Sequence, residues 1–123
     1  SEPAEVTNKQ AAPLQESLNT GTVQLANDQL ANSDAGQYWI QIAGMKDVEL
    51  ARDFLTDHQL TSLVTIYKTY RYGGDWYVIL WSTPAASLPA AQQQLQALPQ
   101  FPGSDKAFVK AGNQVKAEIA SLP

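Results

Sequence analysis

Cysteine is absent from the 123 residues, and histidine and methionine occur once each. Without thiols the chain forms neither a disulfide nor a thiolate metal site, and the redox compartment stays undecided. His58, with no second histidine to join it, reads as the end of a helix and not as a metal ligand. No apolar run approaches the roughly 20 residues that cross a bilayer. No signal peptide opens the chain, which is therefore expected to be a mature or excised piece of a longer protein. An excess of base is missing too. Residues 1–36 hold five acids and one base and residues 37–123 seven of each, so the net charge of −4 resides in the first stretch. A neutral domain without a basic stripe is a poor partner for nucleic acid. Catalytic patterns are equally scarce: there is no nucleophile elbow, phosphate loop or zinc spacing. Asp53 and Asp57 stand four apart on a helix and point to water, a solvated face and not an acid/base pair. The expectation is a non-enzyme with no cofactor and no metal.

What the chain does have is hydrophobic and aromatic residues, 44% and 9% of the total, enough for one folded domain with a core. None of the aromatics precedes Tyr38. Residues 1–36 are rich in Gln, Asn, Ala, Ser and Thr and read as a flexible, polar, acidic linker. The alternative, a helix on Leu14, Leu18 and Leu25, lacks a broad apolar stripe. The domain is then residues 37–122.

Tyr38-Trp39-Ile40-Gln41-Ile42-Ala43-Gly44 reads as a strand, and Trp76-Tyr77-Val78-Ile79-Leu80-Trp81 as its neighbour. Between them Asp47 is placed to cap a helix running to about His58, and residues 63–71 form another strand. Tyr72-Gly73-Gly74-Asp75 is a hairpin turn whose pairing would set Arg71 opposite Trp76 and Thr69 opposite Val78. Ser87 caps a second helix through Leu98, with Leu88, Ala91, Leu95 and Leu98 as its buried face, and Pro89 is tolerated in its first turn. Ala107–Lys110 is a short last strand. A terminal helix from Asn113 carries Val115, Ile119 and Leu122 on one side. The order β-α-β-β-α-β predicts an α+β, ferredoxin-like domain. It has a four-stranded antiparallel sheet, two helices on one face and an extra C-terminal helix. Alternation predicts Trp39, Gln41, Ala43, Trp76, Val78 and Leu80 on the face those two helices leave bare.

These residues carry a resemblance. An aromatic-x-hydrophobic-Gln-hydrophobic opening strand (Tyr38, Ile40, Gln41, Ile42) and a Trp76-Tyr77-Val78 second central strand in this order and spacing resemble a SPOR domain over about residues 37–122. The resemblance implies a ferredoxin-like module that binds peptidoglycan. It implies a preference for glycan strands lacking stem peptides and a role in carrying the host protein to the division septum. It further implies a periplasmic domain joined by a polar linker to an inner-membrane anchor in a Gram-negative bacterium, with other division proteins as further partners. Gln41 and Trp76 match the family's glycan-binding positions. Where the family often has Ser after the first strand, this chain has Gly44. Trp39, Ala43 and Val78 share the expected face, and Thr69 and Arg71 lie across the hairpin, completing the candidate glycan-binding set. An indole suits the C–H face of a sugar and an amide its N-acetyl group. Removing a stem peptide leaves a lactyl carboxylate, for which Arg71 is a candidate partner.

Three alternatives stand beside this reading. The terminal helix or the leader covers Trp39 and Trp76, making them core. The apolar sheet face, with Val78 and Leu80, docks a partner protein as an adaptor. The fold with aromatics on its sheet also describes single-strand RNA binders, which need a basic surface this domain lacks.

Overall fold

The computed structural model describes residues 24–122. Its elements are α1 (Asn27–Ala31), β1 (Tyr38–Met45), α2 (Val48–Asp57), β2 (Val64–Arg71), β3 (Gly74–Trp81), α3 (Leu88–Gln96), β4 (Phe108–Ala111) and α4 (Gly112–Ala120). The four strands lie in the order β2-β3-β1-β4, every neighbouring pair antiparallel, as the ferredoxin-like pattern predicts.

Both expected helix caps form. The Asp47 side chain accepts from the Glu49 N–H at 2.8 Å, and the Ser87 hydroxyl accepts from the Ala90 N–H at 3.2 Å. Ile40, Ile42, Ile66 and Ile79 project from the sheet against Ala51 and Leu55 of α2, with Leu60 and Val64 closing the cluster. Leu95 of α3 packs at its margin. Leu88, expected on the buried face of α3, is exposed; it sits at the first residue of that helix, beyond the sheet contact.

The opposite face departs from expectation. Trp39, Tyr67, Val78 and Leu80 do not meet water; they form a second core with Leu30 of α1 and Val115 of α4. Burying side chains of this size stabilises by about 1.5–3 kcal/mol each, so the cover is part of the fold. Residues 24–36, assigned to the linker, therefore belong to the packed domain from Leu25 onward. The Ala26 N–H donates to the Ile66 carbonyl at 2.7 Å. The Asn27 amide both donates to the Lys68 carbonyl and accepts from its N–H, each at 2.9 Å, along the outer edge of β2. The rest of the expected linker, with Leu14 and Leu18, lies outside the described residues.

Two register corrections follow from the backbone. Tyr72 and Gly73 take φ of 55° and 81°, making a two-residue turn with both central residues left-handed. Gly74 is thereby released into the strand. Arg71 pairs with Gly74, Thr69 with Trp76 and Tyr67 with Val78, two residues away from the expected pairing but on the same faces. In β1 a bulge between Gln41 and Ala43 shifts the pairing from Gln41–Leu80 to Ala43–Ile79. Ala43 consequently packs against the α2 core instead of sharing a face with Gln41, and Gly44 takes the next place on the Gln41 side.

Candidate functional site

The covering helix α4 is fastened to the sheet by a polar cluster. Lys110 stands opposite Trp39 on β4 with its side chain only 2% exposed. Its Nζ donates to both carboxylate oxygens of Glu118, at 2.9 and 3.0 Å, and to the Tyr67 hydroxyl at 3.2 Å. Tyr67 Oη in turn donates to Glu118 Oε1 at 2.6 Å, and Gln114 Nε2 to Oε2 at 3.0 Å. The Thr69 hydroxyl donates to the Glu118 carbonyl at 2.7 Å. Burial works to raise the Glu118 pKa, but hydrogen bonds from Tyr67 and Lys110, the Lys110 charge and Gln114 outweigh it and hold it below the ordinary carboxylate range. Burial pushes the Lys110 ammonium down, with Glu118 opposing, while burial and the adjacent carboxylate push the Tyr67 phenol up.

Beyond that cover, at the hairpin end of the sheet, the face is accessible. β4 pairs with β1 only from Tyr38 to Gln41, so Ile42–Met45 have no strand beside them on that side among the described residues. A depression of about 360 Å³ fills the gap, lined by Gln41 to Met45 along with Phe54, Pro102, Gly103, Lys106 and Phe108. Gln41 is 9% exposed, and its Oε1 is buried without a hydrogen-bond partner. An unpaired acceptor at such a position costs about 1–3 kcal/mol unless something donates to it.

Trp76 is half-buried, with its indole laid on the backbone of Gly44; a Cβ added there would come within 2.6 Å of Nε1. The absence of a side chain at Gly44 is what lets the ring lie this close. Tyr72, 78% exposed, stands edge-on to Trp76 with ring centroids 4.9 Å apart. The Arg71 guanidinium lies 5.0 Å from the centre of the Tyr72 ring. These three side chains, with Lys46 and the turn residues up to Asp75, line a second depression of about 330 Å³. A half-buried indole flanked by two cations can hold a ligand that is flat and apolar on one side and polar at its edge.

The candidate set is thus divided. Gly44, Trp76 and Arg71 gather at the accessible end, whereas Gln41, expected to neighbour Trp76, pairs with Leu80 further along the sheet and lines the other depression with Gly44. Trp39, Val78 and Thr69 lie under α1 and α4, which realises for Trp39 the alternative of an ordinary core residue. Trp76 escapes it. Ala43 faces the other side. Sequence reading missed Lys46, Tyr72, Lys106 and Phe108 at the accessible end and the Lys110–Glu118 pair beneath α4. A lysine inside the apolar run Ala107–Lys110 was the one available sign of the pair. No three His, Asp or Glu side chains converge as a metal site among the described residues, and no helix there is long and apolar enough to cross a membrane.

A family model of the SPOR domain matches residues 34–110. No curated protein matches the sequence. Both α1 and α4 fall outside the matched span.

Proposed function

This chain belongs to the SPOR domain family, and from that premise we propose that it is a non-catalytic module that binds peptidoglycan glycan strands lacking stem peptides and carries its host protein to the division septum. SPOR domains are peptidoglycan-binding, septal, periplasmic modules as a family. The finer reading is a periplasmic domain tethered to the inner membrane, similar in kind to the C-terminal domain of the cell-division protein DamX. The observation that supports it is the half-buried Trp76 indole lying over Gly44 in the depression it shares with Arg71, Tyr72 and Lys46. Gln41, with its unpartnered Oε1, lines the neighbouring depression together with Gly44. A sugar ring suits the indole by its C–H face, and an N-acetyl N–H further along the same strand is the kind of donor that Gln41 lacks.

The adaptor reading has lost its surface, since Val78 and Leu80 are wholly buried beneath α1 and α4. The RNA reading gains no basic stripe, because Lys110 is consumed by Glu118.

The test is sedimentation with purified cell-wall sacculi before and after an amidase removes the stem peptides. Binding is expected to rise after treatment and to fall at least tenfold with Trp76→Ala or Gln41→Lys, a loss of about 1.4 kcal/mol. Unchanged binding by both variants, with their folds intact, would overturn the proposal.

A further inference from the structure

We propose that Arg71 and Lys46 form a carboxylate-reading subsite beside Trp76, taking the lactyl carboxylate that a muramic acid residue exposes once its stem peptide is gone. The inference rests on the glycan reading above and adds to it the group that distinguishes a bare strand from a peptide-bearing one.

The two cations share the depression at the hairpin tip with Trp76 and Tyr72. Neither has an ion-pair partner among the described residues. The other cations near this end are Lys68 and Lys106. Lys68 lies 4.0 Å from Asp75, the one carboxylate lining the depression. Lys68 pairs with Tyr77 and Asp75 with Tyr70, so that ion pair belongs to the opposite face of the hairpin from Arg71 and Trp76. Two positive charges without an ion-pair partner among the described residues therefore flank the aromatic platform.

Their chemistry suits a carboxylate. Stacking on Tyr72 orients the Arg71 guanidinium while leaving its N–H edges free, and a guanidinium edge matches a carboxylate with two parallel hydrogen bonds. Lys46 supplies a mobile point charge from the other side. When the lactyl group is joined to a peptide it is a neutral amide, which offers neither cation an ionic partner. Arg71, Tyr72 and Trp76 thus form one continuous chain of contacts, 5.0 and 4.9 Å between successive groups. That chain joins recognition of the anion to stacking of the sugar.

The experiment compares amidase-treated glycan strands in two forms: as the free acid, and after their carboxylates have been converted to primary amides with carbodiimide and ammonia. For the parent protein at low salt, neutralising the carboxylates is expected to weaken binding about five- to twentyfold. Arg71→Gln with Lys46→Gln should weaken binding to the free acid to the same degree and be indifferent to amidation, whereas Arg71→Lys should retain part of the discrimination. Equal binding of both glycan forms by the parent would overturn the carboxylate subsite even if Trp76→Ala still abolished binding. Persistence of binding in Trp76→Ala would instead overturn the glycan site itself. Both cations are on the surface, so thermal melts of the variants should match the parent.

Discussion

Replacing Glu118 by Leu removes the only carboxylate that, among the described residues, pairs with a lysine side chain that is 2% exposed. Breaking a buried ion pair from one side leaves the other charge without compensation, which costs about 3–5 kcal/mol. For a domain of about this size, with ~4–8 °C lost per kcal/mol, Tm should fall by ~12–40 °C. The effect has a second signature in pH. The Glu118 pKa lies below its ordinary value of 4.5, so its stabilisation is complete above that value and is lost as pH falls through the lower, folded one. The parent should accordingly lose stability in acid more steeply than Glu118→Leu. Lys110→Met, Glu118→Leu and Tyr67→Phe together replace the whole cluster with apolar groups of similar shape. This triple variant should recover most of the loss, because apolar isosteres of a buried pair are often neutral or better. The assay is urea and thermal unfolding of the three proteins between pH 3 and pH 8. A Tm for Glu118→Leu within about 3 °C of the parent would refute the reasoning, because that is under 1 kcal/mol for a domain this small.

Two glycines should behave differently when given a methyl group. At Gly112 a Cβ would meet the backbone carbonyl oxygens of Gln37, Ala35 and Asp34 at 2.8–3.1 Å. Since none of these can retreat cheaply, Gly112→Ala should cost about 1–3 kcal/mol in urea unfolding. At Gly44 the obstacle is the edge of the Trp76 side chain. Gly44→Ala should therefore change stability by less than about 1 kcal/mol, while shifting tryptophan fluorescence and weakening sedimentation with stem-free glycan. Tyr72 holds φ at 55°, a conformation a bulky residue adopts only under strain. Tyr72→Asn should stabilise the hairpin by up to about 1 kcal/mol in thermal melts, and weaken glycan binding by removing the ring that bridges Arg71 and Trp76.

The topology was legible because its signals are local: alternation in β1 and β3, the Asp47 and Ser87 caps, and glycines at a tight turn. What sequence reading missed came from non-local packing. Alternation assigned Trp39, Val78 and Leu80 to one face correctly, but whether that face is wet depends on α1 and α4, which arrive from the two flanks of the domain. The short α1 has a single buried residue, Leu30, and so offers no periodic stripe to read. The bulge that turned Ala43 inward leaves no compositional mark in Ile42-Ala43-Gly44. The hairpin slipped by two because Gly73-Gly74 looks like the obvious central pair, whereas Tyr72 takes a left-handed position usually given to Gly or Asn. Gln41 and Trp76 stood out as candidates by residue type, but their separation along the sheet and the unpartnered state of Gln41 Oε1 needed coordinates.

The two helices that hide the second sheet face clasp one another, with Lys116 Nζ donating to the Ser33 carbonyl at 2.7 Å, and both stand beyond residues 34–110. Trimming the gene to the limits of the recognisable family would strip off this lid from both sides at once. The product would present a greasy slab of Trp39, Tyr67, Val78 and Leu80, together with a rim of β2 that Ala26 and Asn27 had plugged. Such a fragment invites sticking and clumping, and its failure to bind cell wall would say nothing about the intact protein.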